Sequence, residues 1–308
     1  MKKVFIDGSA GTTGLRIYER LSARDDVEIV TLPENLRKDP IARKQMLNSV
    51  DVAFLCLPDD AAREAVSFVE NPNVTVIDAS TAHRTLPDWA YGFPELSKAF
   101  EEKILASKRI AIPGCHASGF IALVYPLIEA GILNKDALLT CHSITGYSGG
   151  GKKMIAEYED ENRNALLGAP RQYALSQQHK HLKEMQGICG IDNAPAFSPI
   201  VADFYSGMTV TVPLFAKQIK GGVEDIKAVY KQKYNGEIVQ YVDNADENGF
   251  LSGLALFGKD GMKIAVAGNE ERILLLASYD NLGKGASGAA IECMNMALGF
   301  EKTKGLVL

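Results

Sequence analysis

Through residues 1–80, short apolar runs alternate with longer segments whose apolar positions follow a helical period. "KKVFID" reads as a short buried strand, and residues 13–24 ("TGLRIYERLSAR") place Leu15, Tyr18 and Leu21 at helical spacing. "VEIVTL" is a second strand, residues 39–48 suit a helix, "DVAFLCL" is a third strand, residues 59–70 a helix, and "VTVIDA" a fourth strand. Strands apolar on both faces and alternating with helices predict a parallel sheet covered on both sides, a Rossmann-type doubly wound α/β domain. "RIAIPG" is the fifth strand; it ends at Cys115, and an apolar, helix-like run follows in "FIALVYPLI".

Beyond that helix the pattern changes. "ALLTCHSITGYS", "FSPIVADFYSGMTVTVPLF", "IVQYVD", "MKIAVAGN" and "RILLLASYD" are β-rich, with few helical segments between them. This texture predicts an α+β domain on a largely antiparallel or mixed sheet. The end, "NLGKGASGAAIECMNMALGF", is a glycine-rich turn followed by a helix with small residues on its face, suited to packing back on the first domain. The expected domains are therefore residues 1–115, completed by a C-terminal helix at 285–308, and residues 116–284.

Composition narrows the class. At 308 residues the chain is long for one core and sufficient for two. A net charge of −5 carries no electrostatic footprint for a nucleic-acid partner. No apolar run approaches the ~20 residues of a membrane span, and the best, 120–128, is interrupted by Pro126. The basic start "MKK" leads to Asp7 too early for a secretory signal, so the expectation is a cytoplasmic protein. Five cysteines without CxxC spacing argue against a disulfide framework. Cys56 and Cys293 read as packed core thiols, whereas Cys115 alone stands at a strand-to-helix joint.

That joint acquires meaning from the first turn of the chain. In "IDGSAGTTG", Gly8, Ser9, Ala10, Gly11, Thr12, Thr13 and Gly14 follow a strand and open a helix, with glycines three apart. Such a turn lets backbone approach a pyrophosphate at a helix N-terminus, where free N–H groups and the helix dipole meet it. An acidic residue commonly ends the second strand of NAD enzymes; here "TLPENLRK" supplies Arg37 and Lys38 instead, which favours the 2′-phosphate of NADP(H). Cys115 then lies at the carboxyl end of a parallel strand, where these sheets bind ligands, and at a helix start, which favours thiolate. It is the candidate nucleophile. His179 and His181 in "QQHKHLKEM" are candidate proton carriers; as a metal pair they lack evident third and fourth ligands, and alternate residues diverge on a helix, so no metal is expected. His116 adjoins the cysteine, but neighbouring side chains often point apart.

At "PGCHASG" the chain resembles the N-acetyl-γ-glutamyl-phosphate reductase family, particularly its shorter (type 2) form, essentially end to end. "GSAGTTG", "DASTAHR", "YGFPEL", "GYSGGGKKMI", "HKHLKEM" and "DNLGKGASGAA" carry the resemblance in that order. It implies a semialdehyde-dehydrogenase-type catalytic and oligomerisation domain, assembly as a homodimer or homotetramer, and NADPH-dependent reduction of an acyl phosphate to a semialdehyde in arginine biosynthesis. It places the nucleophile at Cys115 and the acid/base at His179, with His181 close behind. It also implies Ser80 and Asn281 near the cofactor, and Arg84 near the substrate phosphate; a departing phosphate needs cations, and Lys152 and Lys153 are available in addition to Arg84. The family commonly has proline before the glutamate of the histidine element, where this chain has Lys183-Glu184. A sister reductase for another acyl phosphate, a cysteine acyltransferase or hydrolase, and a non-catalytic NADP-binding regulator are the competing expectations. The glycine turn argues against the second, and the cysteine joint against the third.

Overall fold

The N-terminal apolar runs become β1 (Lys2–Asp7), β2 (Val27–Val30), β3 (Val52–Leu55), β4 (Thr75–Asp78), β5 (Ala90–Tyr91) and β6 (Arg109–Ala111) in the computed structural model, which describes residues 1–308. All six pair in parallel, in the order β2-β1-β3-β4-β6-β5. The two-residue β5 is too short for a periodicity to announce it. Between the strands run α1 (Thr12–Ser22), α2 (Pro40–Asn48), α3 (Asp59–Ser67) and α4 (Lys98–Ala106). Alternation along β1 feeds two cores: Val4 and Ile6 join one apolar cluster with Ile17 and Leu21, while Phe5 joins another with Leu47 and Ala65. Each such fully buried aliphatic side chain contributes roughly 1.5–3 kcal/mol. The strand order reverses between β1 and β3, and the carboxyl ends of strands at such a switch point are where doubly wound sheets bind ligands.

The sequence expectation for α1 needs one correction. Its buried face is Gly14, Ile17 and Leu21, whereas Leu15 and Tyr18 are 49% and 42% exposed. The helix is turned by one position because Gly14 packs on backbone, which carries no hydrophobic signal. A Cβ at Gly14 would lie 2.5 Å from the Gly8 carbonyl oxygen.

The second unit begins with α5 (Cys115–Glu129), followed by β7 (Thr140–Gly146), α6 (Gly151–Glu159), β8 (Arg171–Gln172), α7 (His181–Cys189), β9 (Ala196–Ala202), β10 (Met208–Phe215), α8 (Val223–Lys233), β11 (Val239–Tyr241), β12 (Met262–Gly268) and β13 (Arg272–Tyr279). These strands form one sheet in the order β11-β12-β13-β10-β7-β9-β8. It is mixed: β11 with β12 and β7 with β9 are parallel, and the other pairs are antiparallel. Helix α5 is buried along most of its length and packs against α7, α8, β10 and β13. Pro126 inside α5 lacks the N–H that would reach Ala122 C=O, and the Tyr234 hydroxyl donates to that carbonyl at 2.7 Å instead.

The chain then returns. A π turn (Gly283–Ser287) leads into α9 (Gly288–Leu298), whose Ala289, Ile291 and Met294 join the cluster containing Val4 and Ile17. The helix stops at Leu298, short of the expected 308, because Gly299 takes the left-handed conformation at φ 72°. Two compact units result: Met1–Pro94 with Lys98–Pro113 and Ala286–Leu306, and Glu95–Ser97 with Gly114–Gly285 and Val307–Leu308. Cys115 thus opens the second unit rather than closing the first. No helix is long and apolar enough to cross a membrane.

Candidate active site

Cys115 is the first residue of α5 and is partly exposed. Ile112, Pro113 and Gly114 alone separate it from the end of β6. Gly114 is the extended N-cap and offers no side chain to the first-turn amides, so the positive end of the helix dipole is available to the thiolate. The backbone around the cysteine is held from two sides. Gly114 N–H donates to Glu184 Oε1 at 2.8 Å, and the Tyr279 hydroxyl donates to Cys115 C=O at 2.5 Å. Cys141, Cys189 and Cys293 are buried, and burial pushes the first two thiols up. Cys56, expected in the core, is only partly buried, because β3 ends at Leu55 and leaves it in the turn beside Gly8. Burial and the carboxylates of Asp78 and Asp7 still push its thiol up to about 12.

The histidine pair converges, contrary to the expectation for alternate residues on a helix. Helix α7 starts only at His181, so His179 lies in the turn before it. The two ring centroids are 4.6 Å apart. His179 Nδ1 accepts the His181 backbone N–H at 3.1 Å, doing for α7 what a capping side chain does. That bond puts the neutral ring's proton on Nε2. His179 is partly exposed and His181 is buried.

His116 also joins this cluster, 5.8 Å from His179 and 5.7 Å from His181 between ring centroids. Its Nδ1 meets Ser143 Oγ at 2.6 Å and its Nε2 meets the Tyr173 hydroxyl at 2.7 Å. Burial, with a smaller contribution from His179, drives His116 down to about 3, so the ring is neutral. Burial, and then the charge of Cys115, raises the Tyr173 phenol. Glu184, Tyr173, Ser143 and Tyr279 are members of this site that the sequence reading did not single out. Glu184 follows His181 by three residues, one helical turn, and this spacing was its only local signal.

The depressed His116 pKa has a stability consequence. Between about pH 6.5, the ordinary imidazole value, and about 3, the unfolded chain binds a proton that the folded one refuses. This stabilisation is complete above pH 6.5 and is lost as pH falls through that window, at about 1.4 kcal/mol per unit. Denaturant unfolding followed from pH 7 to pH 4 is expected to show a shallower decline for His116→Gln than for the unaltered chain. Parallel declines would contradict the assignment.

In the first unit, the glycine turn is tight and packs on backbone. Gly8 has φ +88°, and a Cβ there would lie 2.3 Å from the Cys56 carbonyl oxygen. Gly11 N–H closes the turn onto Gly8 C=O at 2.9 Å. Helix α1 has no capping side chain and no acid in its first turn, and Thr12 Oγ1 is buried without a hydrogen-bond partner within the protein. Uncapped amides, a waiting hydroxyl and the absence of a local acid fit a phosphate. Asp7, just before the turn, has its charge countered by Arg43 at 2.9 Å, and burial raises its pKa. Arg37 and Lys38 are exposed after a 3₁₀ turn that follows β2 and make no ion pair.

The remaining expected site residues lie in both units. Ser80 is buried and donates Oγ to Asp78 Oδ2 at 2.7 Å, a carboxylate that His83 Nδ1 also meets at 2.6 Å. Arg84 is buried, with Nε donating to Ile112 C=O at 2.8 Å and Nη2 to Ala79 C=O at 3.0 Å, so it braces the segment leading to Cys115. Asn281 is buried in the second unit, accepting from Gly207 N–H at 2.9 Å and donating to Ser148 Oγ at 3.0 Å. Lys152 is exposed in the first turn of α6.

Comparison with known proteins decides the family. Residues 115–281 match the semialdehyde dehydrogenase dimerisation domain, and residues 25–104 match the semialdehyde dehydrogenase NAD binding domain, a match that starts downstream of the glycine turn. An N-acetyl-γ-glutamyl-phosphate reductase of Brucella ovis is 46% identical over 306 residues, covering 96% of this chain and 99% of that one. The chain belongs to the N-acetyl-γ-glutamyl-phosphate reductase family. A Brucella abortus member of the reductase family gives the same identity and coverage. The fold extends beyond the reductases: aspartate semialdehyde dehydrogenase II of Vibrio cholerae superposes with a TM-score of 0.72 at 17% identity, over 97% of this chain and 98% of that one.

Proposed function

We propose that this protein reduces N-acetyl-γ-glutamyl phosphate to N-acetylglutamate 5-semialdehyde with NADPH, releasing phosphate, by way of a thioester on Cys115. Family membership supports the reaction. The observation that carries the mechanism is a partly exposed cysteine at an uncapped helix N-terminus beside a histidine cluster.

An acyl phosphate is already activated, so the Cys115 thiolate attacks its carbonyl carbon, the C–S bond forms and the C–O bond to phosphate breaks. The amides of the first turn of α5 are the donors for the tetrahedral oxyanion. NADPH, when bound, supplies the hydride that a thioester accepts more readily than a carboxylate does. His179 then shares its Nε2 proton with the oxygen as charge builds there, and regains it when the adduct collapses to aldehyde and thiolate. His181, buried behind it, supports substrate binding. Arg84 and Lys152 are proposed for the substrate phosphate; the carbonyls already bonded to Arg84 fix the orientation of its guanidinium.

For the cofactor, the turn at residues 8–14 holds the pyrophosphate, Ser80 and Asn281 contribute to the same ligand's site, and Arg37 and Lys38 take the 2′-phosphate. NADPH is accordingly expected to bind more tightly than NADH, and replacing both cations by alanine to remove most of the difference, as read by fluorescence titration. Equal affinities in the unaltered protein would contradict this. The shorter form of the family, a cytoplasmic location and assembly as a homodimer or homotetramer complete the proposal. NADPH oxidation assayed against a panel of acyl phosphates tests it. The N-acetylglutamyl compound is expected to turn over fastest, and a preference for aspartyl phosphate, or no oxidation, would overturn it.

A further inference from the structure

An α-helix joins the carbonyl of one residue directly to the amide four residues on. In the first turn of α5 a third group lies across that link. The Tyr279 hydroxyl donates to Cys115 C=O at 2.5 Å and accepts from Gly119 N–H at 3.0 Å. The phenol can reach the backbone because residue 119 is glycine: a Cβ there would stand 2.7 Å from the hydroxyl and 2.6 Å from a Val210 methyl. Tyr279 is the last residue of β13 and is fully buried. Gly285 lies next to both groups: a Cβ there would fall 3.2 Å from Cys115 Cβ and 3.4 Å from the Tyr279 ring.

Tyr279 differs from the other phenols that donate to α5 in that it also accepts from an amide of the helix. Two other phenols donate to α5, Tyr234 to Ala122 C=O and Tyr230 to Leu123 C=O. The first fills the vacancy left by Pro126. The Cys115 carbonyl has no such vacancy, because Gly119 carries an N–H four residues on. Burial, followed by the charge of Cys115, raises the Tyr279 phenol, which keeps it a protonated donor.

We infer that Tyr279 is a positioning residue for the nucleophile: its hydroxyl fixes the first turn of α5, and with it the place of the Cys115 thiol. Its O–H also draws negative charge from the cysteine's own carbonyl, which favours thiolate. The other ionisable groups around this turn are Glu184, bonded to Gly114 N–H; Tyr173, whose phenol feels the Cys115 charge; the buried Cys141 thiol, which burial pushes up; and the neutral His116. Removing the hydroxyl leaves all four in place.

The inference rests on Cys115 being the nucleophile, and its test is alkylation of Cys115 by iodoacetamide across pH in the full-length protein, located by peptide mass spectrometry. Tyr279→Phe is expected to fold, to move the alkylation midpoint up by about half a unit or more, and to lower kcat by about tenfold or more with KM little changed. Tyr234→Phe removes a phenol–carbonyl bond from the same helix; it should lower the melting temperature and leave midpoint and kcat alone. An unmoved midpoint and kcat in Tyr279→Phe, or equal shifts in both variants, overturns the role. If Tyr279→Phe does not fold, 3-fluorotyrosine in place of Tyr279 keeps the ring and strengthens the donor. The midpoint then falls, and an unmoved midpoint overturns the inference. Alkylation reads the thiol whether or not the enzyme turns over. A substrate adduct on another residue of the unaltered protein would therefore sink the nucleophile assignment, whereas an unshifted midpoint sinks only the role of Tyr279.

Discussion

Cys115→Ser is expected to abolish reduction, lowering kcat by about four orders of magnitude or more, while leaving the melting temperature and NADPH affinity near those of the unaltered protein. The fold survives because serine is close in size and suits a first helical turn, and because the bonds from Glu184 and Tyr279 reach backbone atoms of residues 114 and 115. Cofactor affinity survives because the turn at residues 8–14, proposed to hold the pyrophosphate, is untouched. Chemistry does not survive. A serine alkoxide is hard to form at neutral pH, the helix dipole offsets only a small part of that cost, and an oxygen ester resists hydride more than a thioester does. NADPH oxidation at saturating substrate, with a cofactor titration on the same preparation, reads both halves. Turnover within tenfold of the unaltered enzyme would remove the thioester from the mechanism.

Replacing His179 by alanine is expected to lower kcat by roughly 10²–10⁴-fold, the scale for a positioned proton donor. His181→Ala is expected to act mainly on KM. The distinction follows from placement: His179 is partly exposed and its Nδ1 is held by the His181 backbone N–H, which commits Nε2 to donation. His181 is buried behind it, its ring centroid 4.6 Å away. The backbone bond survives in His181→Ala, because alanine keeps the donor N–H. A large kcat effect confined to His181→Ala would transfer the proton role to that residue, and mild effects in both variants would exclude the pair from the chemistry.

The fold was legible in the sequence to the extent that burial leaves a one-dimensional trace. Continuous apolar runs marked β1, β3 and β4 because both faces of a parallel sheet are covered. The α1 face departs from its apolar spacing because Gly14 meets backbone, and β5 leaves no trace in the sequence because two residues carry no period. Within the site, Cys115 and the glycine turn were visible because their chemistry depends on local junctions of strand and helix. The partners that hold Cys115 were not. Glu184 lies 70 positions from Gly114, and Tyr279 lies 164 positions from Cys115, so only tertiary packing brings them together. His116 defeats the rule that neighbouring side chains point apart. In the structure it is buried between Ser143 and Tyr173, and no spacing rule anticipates that.

The central claim is that Cys115 forms the covalent bond to substrate. Incubating the unaltered enzyme with N-acetyl-γ-glutamyl phosphate in the absence of NADPH, followed by acid quench and peptide mass spectrometry, tests it directly. The account predicts an acyl adduct on the peptide containing Cys115, one equivalent of phosphate released per adduct, and loss of the adduct on treatment with hydroxylamine. An adduct on Cys56 or any other residue, or phosphate release with Cys115 unmodified, would contradict it.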